Sequence, residues 1–403
     1  MLKVAIIADD LTGAMDTAGP FAAAGLKTLV RFDADYVTAD LPSDLDILCC
    51  TTQTRHFAAD AAAARVADAL RALSDTGPKL LLKKVDTTLR GNIAAEIAAA
   101  MHASGRRHLL IAPAAPAQGR IMRNGEVFVH GIPLRESDAA RDARSPAASL
   151  PLAELLRGGI AGLTTRILSR DASLTLTAEG GPQAYLADAQ TDADLDRVAE
   201  FALRHSGDIL LVGATGIGAA LARHMGGHTD APLDLSPVGK RGRVMFVIGS
   251  RTAVTAGQLA RLRAAGAAEV VVPIKRDAGD PLTIPPLTVS TPLILRPEAA
   301  GQVRADDAAR VLAQAAVSLI GPLDVCSLVL SGGDTAAAVF SALGVRECML
   351  LGEIMPGIPV GCLAGAQRSL CAVTKSGGYG DADTLLRIAE GLEAALPRSQ
   401  SIL

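Results

Sequence analysis

The segment from Ala8 to Gly19, ADDLTGAMDTAG, places three carboxylates within eight residues directly after an apolar run. Carboxylates spaced in this way can bind a cation or accept hydrogen bonds from the hydroxyl groups of a ligand. An Asp or Thr at this position can also cap a helix, but that role requires one carboxylate and not three. We therefore predict that Asp9, Asp10 and Thr12 bind a substrate.

A second segment, KKVDTTLRGN, follows another apolar run and alternates cations with hydroxyl groups. Arg can hold a carboxylate or a phosphate through two hydrogen bonds, whereas Lys acts as a compact point charge. The alternative is an exposed, salt-bridged loop, which would add little stability. We predict that Lys83 faces the other side of its strand and that four other residues bind the substrate. These four are Lys84, Asp86, Thr87 and Arg90.

Two further loops each carry candidate residues. Arg55 stands in TQTRH, just past a predicted strand, and Gln118 stands in PAAPAQGRIMRNG, where two prolines stiffen the chain. We predict that Arg55 and Gln118 also belong to the substrate site. Arg120, in the same loop as Gln118, is placed to meet an anion.

Three glycine-containing segments in the C-terminal half follow apolar runs: VIGSRTAVT, LVLSGGDTAAAV and VTKSGGYGDADT. Paired glycines let backbone N–H groups approach a ligand closely, and the N-terminus of the following helix favours anions. The segments therefore predict a site for nucleotide phosphates. Its predicted members are Ser250, Gly332, Gly333, Asp334, Thr335, Lys375, Gly377 and Gly378. A phosphate would repel Asp334 unless this residue meets Mg²⁺, a ribose or a hydroxyl proton, and Thr335 can alternatively cap its helix.

The stretch LVGATGIGAA, residues 211–220, has the glycine spacing of a dinucleotide fingerprint. A Rossmann unit also needs a second strand that ends in an acid about 20 residues beyond the glycines. The chain has a stretch containing Pro and Gly there, so we predict that these glycines serve close packing between a helix and a strand. The sequence has no Walker A motif, and the spacing of its histidines identifies no metal ligands.

Short apolar runs alternate along the chain with Ala-rich amphipathic stretches, which is the pattern of parallel α/β units. In the first half the predicted strands are Val4–Ala8, Lys27–Arg31, Asp46–Thr51, Leu80–Val85, His108–Pro113 and Asp208–Val212, with a hairpin or an edge excursion at Asn124–Leu134. In the second half they are Arg243–Ile248, Glu269–Ile274, Leu287–Leu295, Val325–Leu330, Cys348–Leu351 and Leu370–Val373.

The periodicity fails between Gly226 and Gly242, which indicates a linker. We predict an α/β protein of two domains, residues 1–228 and 229–403, each with a mainly parallel sheet flanked by helices. Ligands collect at the carboxyl ends of strands in such sheets. We therefore expect the active site in the cleft between the domains.

The overall composition argues against several functional classes. The chain of 403 residues has a formal net charge of -3, 2% aromatic residues and no Trp. This leaves no basic surface for nucleic acid or anionic lipid, and few platforms on which bases could stack. The chain has neither an apolar run of about 18 residues nor a secretory pattern, and its six cysteines show no C-x-x-C pair. We predict buried, reduced thiols in a cytoplasmic protein.

Eight segments, taken together and in order, resemble the four-carbon acid sugar kinase family, whose members phosphorylate acids such as threonate, erythronate or 3-oxo-tetronate. The segments are ADDLTGAMDTAG, KKVDTTLRGN, PAAPAQGRIMRNG, HGIPL, VIGSRTAVT, LSGGDTAAAV, LGEIMPGIPVG and TKSGGYGDADT. The resemblance implies an N-terminal domain that binds the sugar acid and a C-terminal nucleotide domain that binds ATP with Mg²⁺. It leaves a homodimer open.

Position by position, the resemblance implies two sets of binding residues. The substrate set is Asp9, Asp10, Thr12, Lys84, Asp86, Thr87 and Arg90, and the ATP set is Ser250, Gly332, Gly333, Asp334, Thr335 and Gly377. The sequence departs from the family pattern at Gly213–Gly218, at Met15, where Asn is usual, and at Thr87, where Ser is common. These departures concern the preference among substrates.

The expected function is therefore an ATP-dependent kinase that phosphorylates a four-carbon sugar acid, with the C4 hydroxyl as acceptor by family analogy. We expect the substrate carboxylate to meet Arg90 and Lys84, and Asp10 and Asp86 to hold its hydroxyls. Asp334 and Asp86 are the candidate bases. The alternatives are a dehydrogenase or aldolase acting on similar hydroxy acids, and a non-catalytic protein that binds a phosphorylated metabolite.

Overall fold

The structure is a computed structural model that describes residues 2–74, 76–141, 147–177, 180–227, 233–238, 242–275, 282–288, 291–298, 304–364 and 369–395. The chain divides into two compact units, Met1–Thr229 and Asp230–Leu403. The predicted domain boundary at residues 228 and 229, and part of the predicted linker, lie outside the described residues.

The first unit alternates strands and helices. Its strands are β1 (Val4–Ala8), β2 (Thr28–Arg31), β3 (Ile47–Thr51), β4 (Leu80–Lys84), β5 (His108–Ala112), β6 (Arg120–Arg123), β7 (Glu126–Val129), β8 (Ile132–Pro133), β9 (Thr164–Leu168), β10 (Gln183–Ala187) and β11 (Ile209–Gly213). Its α-helices are α1 (Leu11–Ala23), α2 (Ala59–Ser74), α3 (Ile93–Ser104), α4 (Leu152–Gly159), α5 (Asp192–Arg204) and α6 (Thr215–Met225).

The main sheet of this unit has the strand order β2-β3-β1-β4-β11-β5-β10-β9, and its neighbouring strands pair in parallel. Strands β1, β3 and β4 are buried along their whole length, as expected for a parallel sheet covered by helices on both faces. The strand order reverses around β1, and ligands of α/β proteins bind at such switch points. The sheet therefore brings the ends of β3, β1 and β4 together.

A small antiparallel sheet of β6, β7 and β8 follows β5. It confirms the hairpin predicted at Asn124–Leu134, although the first strand begins earlier, at Arg120. Asp188 holds the turn of this hairpin, because its carboxylate accepts hydrogen bonds from the backbone N–H groups of Asn124 and Gly125 at 2.6 and 2.9 Å.

The second unit repeats the α/β pattern. Its strands are β12 (Arg243–Ile248), β13 (Ala268–Val272), β14 (Leu293–Pro297), β15 (Val325–Ser331), β16 (Glu347–Met355), β17 (Ile358–Ala364) and β18 (Leu370–Lys375). Its α-helices are α7 (Ala253–Ala264), α8 (Ala305–Ile320), α9 (Gly333–Ala342) and α10 (Thr384–Ala395).

The sheet of the second unit has the order β13-β14-β12-β15-β18-β17-β16. The first five strands pair in parallel, and β17 pairs antiparallel with both β18 and β16. The predicted α/β class with mainly parallel sheets is confirmed. The sequence prediction missed β17, because it ended the preceding strand at Leu351 and overlooked the turn at Pro356 and Gly357 that reverses the chain.

The glycines of LVGATGIGAA pack closely against neighbouring backbone. A Cβ atom at Gly216 would lie 2.4 Å from the carbonyl oxygen of Ala114, and one at Gly218 would lie 2.7 Å from that of Thr17. Both positions lie in α6, so the helix can approach its neighbours only where side chains are missing. The interpretation of this fingerprint as a packing feature is confirmed.

The six cysteines are free. The prediction of buried thiols is confirmed for five of them, whereas Cys362 is only partly buried. Among the described residues, no helix is long and apolar enough to cross a membrane.

Candidate functional site

The carboxyl ends of β3, β1 and β4 place the predicted substrate residues side by side. Ala8 is level with Thr51 on one side and with Lys84 on the other, so Asp9 and Asp10 emerge between the two neighbouring loops. The loop after β3 is held against β1, because the backbone N–H groups of Thr52 and Thr54 donate to the carbonyl oxygens of Ala8 and Asp9 at 2.8 and 2.9 Å.

Arg55 is the centre of this site. Its guanidinium donates two hydrogen bonds to the carboxylate of Asp9, at 2.7 and 3.0 Å, and one to Asp10 Oδ1 at 2.7 Å. It also lies 3.6 Å from Asp86 Oδ1. Only 11% of the Arg55 side chain is exposed. One buried cation therefore joins the three carboxylates that were predicted from two separate segments.

Asp86 is held by its own loop. Arg90 donates to both carboxylate oxygens of Asp86, at 2.9 and 2.8 Å, in the two-pronged geometry that makes such pairs strong. The backbone N–H and the hydroxyl of Thr88 also donate to Asp86. Each oxygen of this carboxylate is therefore already bound.

Lys84 and Lys83 lie on opposite faces of the sheet, as predicted. The ammonium group of Lys84 lies 3.7 Å from Asp10 Oδ1. Gly13 leaves room for it, because a Cβ atom at this position would lie 2.0 Å from Lys84 Nζ. Lys83 instead pairs with the buried Glu96 at 2.8 Å, away from the substrate residues.

These contacts set the protonation of the carboxylates. Burial acts to raise the pKa of Asp9, but Arg55 and then Lys84 outweigh it and hold the pKa below its ordinary value. Burial has the same effect on Asp86, where Arg90, Arg55 and Lys84 together hold the pKa well below the ordinary range. Both groups are therefore ionised at neutral pH and are weak bases.

Asp10 differs from the other two carboxylates. Its Oδ1 caps α1 by accepting a hydrogen bond from the backbone N–H of Gly13 at 3.1 Å, and the contacts with Arg55 and Lys84 are also to Oδ1. Its Oδ2 receives no hydrogen bond from the described residues. The nearby hydroxyl of Thr12 is buried and likewise has no partner in the described part of the chain. These two oxygen atoms therefore remain available to a ligand.

The loop before β6 carries another predicted substrate residue, Gln118. Its backbone carbonyl accepts a hydrogen bond from the guanidinium of Arg120, which also lies 3.4 Å from His130 Nε2. Asp86 and Arg90 lie close enough to Arg120 for their charges to affect its pKa. The hairpin therefore brings Arg120 to the edge of the charged site.

In the second unit, the ends of the adjacent strands β12, β15 and β18 bring the three glycine segments together. The backbone N–H groups of Gly249 and Ser250 donate to the carbonyl oxygen of Ser331 at 3.1 and 3.2 Å. The backbone N–H of Gly332 donates to the carbonyl oxygen of Lys375 at 3.2 Å. Gly332 has a φ of 110°, a conformation that residues with a side chain rarely adopt. α9 begins at the next residue without a side-chain cap, so its N-terminal N–H groups remain available.

A network of hydroxyl groups fixes the loop after β18. The hydroxyls of Thr252 and Thr255 lie 2.8 and 2.9 Å from the carbonyl oxygen of Gly377, and that of Thr255 lies 3.0 Å from Ser250 Oγ. A Cβ atom at Gly377 would lie 2.2 Å from Ser250 Oγ, so this close approach requires glycine. A Cβ atom added at Gly378 would have no other atom within 4 Å, so there is open space beside the loop at this position.

Lys375 is fully buried. Its ammonium group donates to the carbonyl oxygens of Ser376, Gly377 and Tyr379, at 2.8, 3.4 and 3.1 Å. These hydrogen bonds hold the backbone of the loop that follows β18 in place. The sequence suggested a phosphate ligand, but the contacts of Lys375 favour a role in supporting the loop.

The two neighbouring candidates at the start of α9 have different environments. Asp334 is exposed, whereas Thr335 is buried and its hydroxyl fills the space above Gly249, where a Cβ atom would lie 1.9 Å away. Within the described residues, no group of three or more His, Cys, Asp or Glu side chains is arranged to hold a metal ion.

Sequence reasoning did not identify Thr252, Thr255 or Gln258 as site residues. Gln258 donates to the carbonyl oxygens of Tyr379 and Asp381 at 3.0 and 2.8 Å, and so holds the same loop as the two threonines. Their i, i+3 spacing in TAVTAGQ, directly after a glycine turn, was the available signal.

The turn between β16 and β17 is a further feature that sequence reasoning missed. Burial raises the pKa of Glu353 to about 7, and this carboxylate accepts a hydrogen bond from the backbone N–H of Gly357 at 2.8 Å. Tyr379 donates its hydroxyl to the carbonyl oxygen of Pro356 at 2.6 Å. The turn therefore supports the loop that follows β18.

Comparison with known proteins places both sites in one family. The model of a sugar-binding N-terminal domain matches residues 4–221, and that of a nucleotide-binding C-terminal domain matches residues 287–385. A D-threonate kinase from Bordetella bronchiseptica is 35% identical to this chain, over 96% of this chain and 97% of its own. A 3-oxo-tetronate kinase from Methylobacterium radiotolerans is 30% identical, over 95% and 97%. The chain belongs to the four-carbon acid sugar kinase family.

Solved structures agree on the fold of this kinase family member. A protein from Salmonella typhimurium LT2 has a TM-score of 0.77 at 23% identity, with 96% of this chain and 99% of that chain covered. The resemblance inferred from the eight segments is therefore confirmed. The charged site lies within the sugar-binding match, and Gly332 and Lys375 lie within the nucleotide-binding match, whereas Ser250 precedes it.

Proposed function

We propose that this protein is an ATP-dependent kinase that phosphorylates a four-carbon sugar acid such as D-threonate, D-erythronate or 3-oxo-tetronate. The observation that carries the proposal is the near-full-length similarity to kinases of these acids. It includes both the charged site of the first unit and the glycine loops of the second. The proposal includes the cleft expected from the sequence, because transfer requires the units to bring their ligands within reach of each other.

On the substrate side, we assign the hydroxyl-binding role to Asp10. Its Oδ2 has no donor among the described residues, whereas Asp86 is bound on both oxygens by Arg90. Asp10 Oδ2 would accept the proton of the substrate hydroxyl as the hydroxyl oxygen bonds to the γ-phosphorus. The bond from this phosphorus to the bridging oxygen would break, which releases ADP. Asp10 thereby replaces Asp86 as the candidate base, and Asp334 remains the alternative.

On the nucleotide side, the phosphates of ATP would bind to N–H groups at Gly332 and Gly333, beside Ser250 and Gly377. Backbone donors at a helix N-terminus suit phosphate groups. Mg²⁺ usually binds through one or two carboxylates together with the phosphates of its nucleotide. Asp334, an exposed carboxylate at the start of α9, fits this requirement. Mg²⁺ would arrive with ATP and neutralise charge on the transferred phosphate.

The acceptor position and the cellular location are parts of the same proposal. Recognition of the carboxylate at C1 would leave the C4 hydroxyl at the far end of the substrate, which favours C4 as the acceptor. Six free cysteines are typical of proteins kept in a reducing compartment, so we propose a cytoplasmic location.

The test is an assay of ADP formation with a panel of four-carbon acids in the presence of ATP and Mg²⁺, with the product examined by ³¹P and ¹³C NMR. We expect ADP formation to depend on one acid of the panel and the product to carry phosphate on C4. A change in nicotinamide absorbance with the same acids, without ADP, would instead indicate a dehydrogenase. Tight binding of the phosphorylated acid without turnover would indicate a sensor.

A further inference from the structure

The charged site of the first unit is electrically balanced. Its ion-paired contacts join three carboxylates to three cations. The carboxylates are Asp9, Asp10 and Asp86, and the cations are Arg55, Lys84 and Arg90. A sugar acid brings one further negative charge, so this set alone offers it no net attraction.

Two donor nitrogens of each arginine in this set are already bound to carboxylates. Arg55 uses Nε and Nη2 on Asp9 and Asp10, and Arg90 uses Nε and Nη2 on Asp86. An incoming carboxylate that took these donors would leave a buried carboxylate without its partner, which is strongly destabilising. A cation outside this balanced set, with no carboxylate partner of its own, would bind the substrate carboxylate without breaking these pairs.

Arg120 has the properties of that cation. It is half-buried, it makes no ion pair with a carboxylate of the described residues, and its Nε is buried without a hydrogen-bond partner there. Burial lowers the pKa of Arg120, and the nearby charge of Arg90 lowers it further while Asp86 opposes the effect. An anion bound beside Arg120 would offset the desolvation of this guanidinium by giving it a partner of opposite charge.

The hairpin orients this guanidinium. Arg120 Nη1 donates to the carbonyl oxygen of Gln118 and lies 3.4 Å from His130 Nε2. The backbone N–H of His130 donates to the carbonyl oxygen of Gly119 at 2.7 Å. A Cβ atom at Gly119 would lie 2.4 Å from His130 Nδ1, so glycine allows the imidazole to pack against this loop. The side chain is thus held at one end while Nε remains available.

We propose that Arg120 recognises the carboxylate of the sugar acid and so determines the preference for acids over neutral sugars. The inference rests on the proposed function and deepens it. It assigns the carboxylate to Arg120 in place of Arg90 and Lys84, which the sequence had suggested.

The test compares D-threonate with its uncharged amide, D-threonamide, as ligands of the full-length protein in calorimetric titrations and as substrates. A hydrogen bond to a charged group contributes about 1.5–3 kcal/mol, so Arg120→Gln should weaken D-threonate binding by about 10- to 100-fold. Its affinity for the amide and its KM for ATP should change little. Arg120→Lys keeps the charge but loses the bidentate geometry of the guanidinium. Its affinity for D-threonate should therefore lie between that of the unsubstituted protein and that of Arg120→Gln.

Arg123 provides the matched control. It lies in the same strand, is exposed, and stacks over the Phe128 ring at 4.4 Å. Arg123→Gln should leave the preference for acid over amide unchanged. If Arg120→Gln and Arg120→Lys both keep the preference of the original protein, the inference is overturned and the carboxylate belongs to Arg90 or Lys84. If the unsubstituted protein forms no ADP with any acid of the panel, the proposed function itself fails.

Discussion

The two candidate sites of this protein consist of different kinds of chemical group. The proposed substrate site of the first unit is a compact set of six charged side chains joined by Arg55. The proposed nucleotide site of the second unit consists of glycines, hydroxyl groups and backbone N–H groups, and its buried lysine is bound to carbonyl oxygens. Paired charges fix the positions of polar acceptors for a small ligand, whereas glycines provide the close backbone approach that a phosphate chain needs.

The difference predicts two kinds of sensitivity to mutation. In the first unit, loss of one side chain leaves buried charges without partners. In the second, the addition of one methyl group disturbs a backbone conformation.

The largest effect is expected for Arg55→Met. Removal of this cation leaves the carboxylates of Asp9, Asp10 and Asp86 without their shared partner, which should lower the free energy of unfolding by about 3–5 kcal/mol. Chemical denaturation measures this value. Arg71→Met, which removes an exposed partner of Asp68 on α2, should change it by less than about 1 kcal/mol. Equal effects of the two substitutions would contradict the central role of Arg55.

The same variant should respond to pH in a defined direction. In the original protein the pKa values of Asp9 and Asp86 lie below their ordinary values, so their stabilisation is present at neutral pH and is lost as the pH falls through these lowered values. Without Arg55, the pKa of Asp9 would rise, because burial raises it and Arg55 is the largest opposing cause, whereas Arg90 would continue to lower the pKa of Asp86. Protonation of Asp9 would then relieve its buried charge, and the destabilisation caused by Arg55→Met should be smaller at pH 5 than at pH 8.

The next prediction compares two candidate bases, one in each site. If Asp10 Oδ2 accepts the substrate proton, Asp10→Asn should lower kcat by roughly 10²-fold or more, in line with general-base contributions. Asp334→Asn should mainly raise the KM for ATP with Mg²⁺. Steady-state kinetics with the best acid of the panel decide between them. A near-normal kcat for Asp10→Asn together with a large loss for Asp334→Asn would reverse the assignment.

The smallest effect is expected for a single methyl group in the second unit. Gly332→Ala forces a residue with a side chain into a φ of 110°, a strain of about 1–3 kcal/mol. We expect a roughly tenfold rise in the KM for ATP and an unchanged affinity for the acid. Gly257→Ala in α7 is the control, because this helical glycine is exposed and a Cβ atom added there would have no other atom within 4 Å. It should stabilise the protein by about 0.5–1 kcal/mol and leave both the KM for ATP and the affinity for the acid unchanged.

The sequence predicted the parallel core well, because its strands are continuous apolar runs. The bounds of Val4–Ala8 and Arg243–Ile248 agree with the structure to the residue. It missed β9, whose residues are largely exposed and lack an apolar pattern. It also missed β10 and β17, since β10 follows a stretch without clear periodicity and β17 depends on a turn between strands.

At the sites, the sequence predicted which residues come close but not how they pair. Asp9, Asp10, Lys84, Asp86 and Arg90 follow apolar strands, so their convergence follows from the topology of a parallel sheet. The central position of Arg55 depends on how the loop after β3 folds back, which no local pattern encodes. Likewise, the internal role of Lys375 is determined by the carbonyl oxygens around it and not by its spacing from the glycines.

The central claim is that the acid binds to the first unit and the nucleotide to the second. Hydrogen–deuterium exchange on the full-length protein tests it most directly, with D-threonate alone and with Mg²⁺ and a non-hydrolysable ATP analogue alone. The account predicts that the acid slows exchange at residues 9–13 and 86–91, and that the nucleotide slows it at residues 249–255, 332–335 and 376–380. Protection of one and the same unit by both ligands would contradict it.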